Sequence, residues 1–129
     1  MALPSVEDAD EGLVDLVGSW VTLPDVAARF SVDVSRVRRS IADGELLALR
    51  LAGVVHVPEL FLAEPGGGTL ALADLKGTLT VLSDAGFPPA EAVSWLFTHD
   101  DSLREGRPID ALRAGRKTEV RRRAQAMAF

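Results

Sequence analysis

The sequence predicts a mainly α protein with one small β-hairpin, and three observations carry that expectation. Across residues 20–57, two short helical patterns flank a tight turn and run straight into two β-type stretches around a glycine. Residues 63–68, AEPGGG, are the clearest punctuation in the chain. Beyond them apolar residues recur at helical spacing. Together these outline a winged helix-turn-helix followed by a helical C-terminal domain. The expected boundaries are an acidic, flexible arm over 1–18, the winged helix-turn-helix over 19–63, a hinge over 64–71 and the helical domain over 72–129.

The first eighteen residues hold Glu7, Asp8, Asp10, Glu11 and Asp15 and no Lys or Arg, which favours an unfolded terminus. Leu13, Val14, Leu16 and Val17 offer the other outcome, a short helix docked on the body. Ser5 is the one hydroxyl residue in this stretch and so its single candidate for phosphorylation.

From residue 20 to 23 the chain reads as extended. Pro24 suits the first helical position because its φ is already helical. Val26, Ala27 and Phe30 form one apolar face, so a helix is expected over 24–30. Residues 31–33 are the turn, with Val32 inward and Asp33 as the next N-cap, its carboxylate accepting a backbone N–H. In the second helix Val34, Val37 and Ile41 make the buried stripe, which leaves Ser35, Arg36, Arg38, Arg39 and Ala42 on the other faces. Gly44 ends it in the left-handed conformation. The runs LLALR and VVHV then flank Leu51-Ala52-Gly53, where glycine supplies the positive φ of a hairpin turn, and Pro58 closes the second strand. Arg50 and His56 sit on this wing, His56 as an ordinary strand residue.

Beyond the hinge, Leu72, Leu75, Leu79 and Leu82 predict a helix over 72–85, stopped by Gly86. Pro88 and Pro89 open another over 88–98, with Val93, Leu96, Phe97 and Trp95 in the core. Asp100-Asp101-Ser102 reads as a turn, and Pro108 starts a short helix ended by Gly115. A last helix over 117–129 turns Val120, Ala124 and Met127 to one side, while Arg121, Arg122 and Arg123 spread too widely to share a face.

The 129 residues carry a net charge of −5, unfavourable at first sight for a polyanionic partner. The distribution alters that inference. Removing the acidic arm leaves fourteen acids against fourteen bases in residues 20–129, and the bases cluster: Arg36, Arg38, Arg39 and Arg50 in one group, and Arg113, Arg116, Lys117, Arg121, Arg122 and Arg123 in another. A local basic face, not the total, decides phosphate contact. With no cysteine the chain has neither disulfides nor thiolate metal sites, and no stretch reads as a signal peptide or membrane span, so a soluble cytoplasmic protein is expected. No H-E-x-x-H, G-x-S-x-G or G-x-G-x-x-G pattern occurs, the glycine run lacks the order of a phosphate loop, and tyrosine is absent; neither an enzyme nor a cofactor is expected.

The stretches LPDVAARFSVDVSRVRRSIADGELLALRLAGVVHVPELF, LTVLSDAGF, VSWLF, RPIDALRAG and RRRAQAMAF carry a resemblance that spans nearly the whole chain after Trp20. The sequence resembles the small actinobacterial winged helix-turn-helix DNA-binding proteins, one mycobacterial member of which is a substrate of a Ser/Thr protein kinase. The helix-turn-helix portion is also similar to MerR-like and excisionase-like proteins. The resemblance implies binding of double-stranded DNA, with Ser35, Arg36, Arg38, Arg39 and Arg50 as contact residues. It also implies a link to kinase signalling through the arm or the C-terminal domain. A phosphorylatable arm threonine has no match here, because no Thr precedes Thr22. A second, shorter likeness, WLFTHDDSLREGRPIDALRAGRKTEV, resembles the toxin-binding domain of some antitoxins and implies a protein partner for the C-terminal half. The expected function is therefore a transcriptional regulator that reads the major groove with helix 34–43 and lays the 46–57 wing on the backbone. The alternative is a protein-interaction adaptor acting through the C-terminal helices. A monomer is favoured, since no heptad run supplies a dimer seam.

Overall fold

The computed structural model of the chain describes residues 6–128; Ser5 lies outside them. Thr22 both ends strand β1 (Trp20–Thr22) and starts helix α2 (Leu23–Phe30), its hydroxyl accepting the Asp25 N–H at 3.3 Å. Helix α3 (Val34–Ala42) follows the three-residue turn. Asp33 is its N-cap residue, as expected, but the carboxylate makes no capping bond; the Arg36 N–H donates to the Asp33 carbonyl instead, at 3.0 Å. Gly44 takes φ 79°, the left-handed stop that the sequence implied.

Strands β2 (Leu49–Leu51) and β3 (Val54–Pro58) form the hairpin. Its turn places Ala52 and Gly53 at φ 49° and 83°, two successive positive values that match the right-handed twist of the strands. Strand β1 pairs with the far side of β3, giving a three-stranded antiparallel sheet in the order β1-β3-β2.

The acidic arm, expected to be flexible, is folded from residue 7 onward. Helix α1 (Glu11–Val17) is capped by Asp10, whose carboxylate accepts the Leu13 N–H at 2.8 Å, and it buries Leu13 and Val17 against helix α5 (Pro89–Phe97). The Trp20 indole N–H donates to the Val14 carbonyl at 3.1 Å. Upstream of α1 the chain runs parallel to β2: the Arg50 N–H donates to the Glu7 carbonyl at 2.8 Å and the Ala9 N–H to the Arg50 carbonyl at 2.9 Å. The Glu7 carboxylate accepts the Ala90 N–H at 2.8 Å, in the first turn of α5. Two of the acids that suggested a solvated tail thus satisfy N–H groups that helix starts leave open.

The segment expected to be a hinge is a loop pinched shut at its base. Leu62 bridges Ala71, the Ala63 N–H donates to the Leu70 carbonyl at 2.8 Å, and the Leu72 N–H donates to the Phe61 carbonyl at 3.0 Å. Leu70 and Ala71 are buried, and only the tip at residues 64–69 is exposed. Helices α4 (Leu75–Asp84), α5, α6 (Pro108–Arg113) and α7 (Lys117–Ala126) complete the chain. Leu75, Leu82, Val93, Leu96, Phe97 and Ile109 join Val26, Val37, Leu49, Val57 and Phe61 in one continuous core. Two sequence expectations need correction. Trp95 is only half-buried, standing edge-on to Phe87 at 6.4 Å. Met127 is 53% exposed, because α7 ends at Ala126 and buries only Val120 and Ala124. No helix of the described residues is long and apolar enough to cross a membrane.

Phe61 has no exposed surface and meets the Phe97 ring at 5.8 Å, so it joins the end of the wing to the C-terminal helices. Phe61→Ala is expected to lower stability by about 3–5 kcal/mol. In a urea titration followed by both fluorescence and circular dichroism, the two probes should shift together as a single transition.

Candidate nucleic-acid interface

All fourteen Lys and Arg side chains lie in the described part, and most are committed to partners inside the protein. Arg29 pairs with Glu59 at 2.9 Å, and Arg107 grips both carboxylate oxygens of Asp110 at 2.7 and 3.0 Å. The second basic cluster of the sequence is structural. Arg113 donates to the Leu60 and Leu62 carbonyls at 2.8 and 3.2 Å, fixing the exit from the wing. Arg116 binds Glu105, Lys117 approaches Asp74 at 3.6 Å, and Arg122 and Arg123 share Glu119. The hydrogen bond from Arg123, helped by the charges of Arg122 and Arg116, holds the Glu119 carboxyl below the usual glutamate range. Arg121 donates to the buried Thr78 hydroxyl at 3.2 Å and to the Asp74 carbonyl at 3.0 Å. The guanidinium passes close over Gly77, where a Cβ would require it to shift.

Among the described residues, five cations have neither a carboxylate nor a carbonyl partner: Arg36, Arg38, Arg39, Lys76 and Arg104. Three of them are on α3. At about 100° per residue, Arg38, Ala42, Ser35 and Arg39 fall within an arc of about 100°, and all four are exposed. Arg36 lies roughly 60° beyond Arg39, at the border of that arc. It is half-buried, and its Nη1 donates to Ser40 Oγ at 3.0 Å. Ser40 itself is buried, an inward polar position that the apolar stripe of Val34, Val37 and Ile41 did not reveal.

The wing residue Arg50 stands opposite Val55, on the face of the sheet away from the fully buried Leu49. It is not free: its Nη1 meets Asp8 Oδ1 at 3.0 Å, with the two side chains 41% and 76% exposed. His56 holds its ring Nδ1 2.8 Å from the Val54 carbonyl, within its own strand. The structure therefore groups Ser35, Arg38 and Arg39 on one face, sets Arg36 at its edge, and gives Arg50 an acidic partner from the arm. Lys76, not among the residues expected to touch DNA, lines the same cleft as Arg36. Its isolation in LADLKGT gave no signal, since nothing in the local pattern tells an unpaired lysine from a paired one.

Residues 3–62 match the family described as DNA-binding protein Rv2175c, wHTH domain, and residues 72–128 match the Rv2175c C-terminal domain of unknown function. The chain is 41% identical to the DNA-binding protein Rv2175c of Mycobacterium tuberculosis, over 96% of this chain and 86% of that protein. It superposes on the NMR structure of Rv2175c with a TM-score of 0.79 at 38% identity, covering 98% of this chain and 92% of the other.

The division between committed and uncommitted cations has a direct test in stability. Arg121→Ala removes a half-buried charged donor from two acceptors and is expected to cost about 1.5–3 kcal/mol. Arg122→Ala, at a side chain 69% exposed, should stay within about 0.5 kcal/mol of the parent in the same urea titration.

Proposed function

The chain belongs to the Rv2175c family of winged helix-turn-helix proteins, and on that premise we propose that it is a monomeric DNA-binding regulator of transcription. Helix α3 enters the major groove of duplex DNA, and the β2–β3 wing lies on the backbone. One observation carries the proposal: the exposed arc of α3 presents Arg38 and Arg39 without internal partners, beside Ser35, in a protein whose other cations are mostly paired. That a relative is named a DNA-binding protein supports it further.

The chemistry follows from the residue types. An arginine fork matches O6 and N7 of guanine bidentately, and each such pair discriminates by about 1–3 kcal/mol against the wrong base. Recognition helices present their N-terminal residues to base edges, which suits Ser35 and Arg38. Arg50 has the different task of holding a phosphate, positioning without specifying. Its pair with Asp8 is exposed and worth about 0–1 kcal/mol, so a phosphate can displace it. Residues 6–18 contain no hydroxyl side chain, so in this arm the opposition to Arg50 comes from the fixed charge of Asp8.

Two measurements test the proposal. In titrations of a duplex selected from random sequence, Arg38→Ala with Arg39→Ala should abolish sequence preference. Each lost phosphate contact should also flatten the dependence of log K on log salt by about 0.9. Unchanged affinity and slope would sink the α3 assignment, and no binding of any duplex at micromolar protein and low salt would favour the adaptor function. Asp8→Asn should tighten binding up to about fivefold, the equivalent of the roughly 1 kcal/mol released at Arg50. An unchanged Kd for Arg50→Gln would take Arg50 out of the interface.

A further inference from the structure

We infer that Lys76 and Arg36 together form a second phosphate-holding point for duplex DNA, so that the C-terminal helical unit takes part in binding. The inference rests on the α3 assignment proposed above and extends it to a part of the chain whose matching family has no assigned function.

Three observations converge. First, Arg36 from α3 and Lys76 from α4 line one cleft of about 280 Å³, together with Thr69 and Leu70 of the closed loop. Second, both cations lack a carboxylate partner among the described residues, even though Glu45 lines the same cleft. Arg36 spends one nitrogen on Ser40 Oγ, which fixes the guanidinium and leaves its other donors available. Third, Lys76 is exposed at the second residue of α4, and the nearby Asp74 carboxylate is engaged by Lys117 at 3.6 Å, which leaves the Lys76 ammonium without a carboxylate of its own.

The position agrees with how a helix sits in DNA. A helix in the major groove has a sugar–phosphate backbone along each side. Residues at the centre of its exposed arc face base edges, and residues at the border face phosphates. Arg36 is the border residue of α3, and Lys76 shares its cleft from α4. Glu45 opposes phosphate entry, so the site is a weak clamp that adds to the grip of α3 and does not replace it.

The test uses the full chain, a selected 20-base-pair duplex and fluorescence anisotropy over a range of salt. Lys76→Gln should weaken binding about 5–10-fold at low salt and flatten the salt slope by about 0.9, with sequence preference unchanged. Arg104→Gln, an exposed unpaired cation outside the cleft, should change neither. Glu45→Gln should tighten binding. The clamp is overturned if Lys76→Gln behaves as the parent protein while the Arg38 and Arg39 variant loses binding; the α3 assignment then stands alone. Equal losses from Lys76→Gln and Arg104→Gln overturn it too, since they report only total charge. If the parent binds no duplex, both the α3 assignment and the clamp fall. Lys76 is exposed, and an unchanged melting temperature for Lys76→Gln separates lost contact from lost fold.

Discussion

The arrangement of this protein depends on the pinch at residues 61–72. Three contacts close it: the backbone bonds across the base of the loop, the Phe61 ring on Phe97, and the Arg113 guanidinium on the Leu60 and Leu62 carbonyls. Without them AEPGGG would act as a flexible tether, and the helices beyond it would sample many positions. With them the tether becomes a short loop whose closure entropy is small, and the buried surface on both sides holds it. The two halves also meet directly, where α1 packs on α5 and where Arg36 and Lys76 line one cleft.

Charge is partitioned by the same packing. The C-terminal run RKTEVRRR reads as a basic patch, yet Glu119 lies within one turn of Arg122 and Arg123, and Asp74 meets Lys117 from another helix. These pairs are partly exposed and individually weak, but they occupy the side chains. Arg121 is the exception in strength, since its partners include the fully buried Thr78 hydroxyl. The cations left over concentrate on α3 and at its edge, and the proposed interface is made from that remainder.

Much of this was legible in the sequence because it is local. Helix periods, the Gly44 stop and the Ala52-Gly53 turn each depend on a few neighbouring residues, and the structure has them close to where the patterns put them. What was not legible depends on partners distant in the chain. The arm has the composition of a disordered tail, but Glu7 finds the start of α5 eighty-three residues away, and residues 7–9 find the open edge of β2. Likewise the AEPGGG segment carries every local mark of a linker, and only the burial of Leu70 and Ala71 closes it. The exposure of Ser35, Arg38 and Arg39 on one face of α3 was recoverable from helical period alone. The Arg36–Ser40 bond, the Asp8 partner of Arg50 and the placement of Lys76 required the fold.

These particulars bear on how an acidic protein is to be judged as a ligand for DNA. A net charge of −5 repels a polyanion at long range, but at physiological salt that field is screened within about 8 Å. Inside that distance the arrangement of individual groups decides. The relevant quantity is neither the total nor the density of Lys and Arg along the sequence, but the number of cations that remain after internal pairing, and whether they share a face. Here the densest basic run contributes almost nothing to that remainder, while the sparser VSRVRRS contributes three arginines. Asp8 engages Arg50 of the wing in an exposed pair, weak enough for a phosphate to displace in the proposed interface. The proposed interface holds few cations, so its affinity would rest on the placement of α3 and its border.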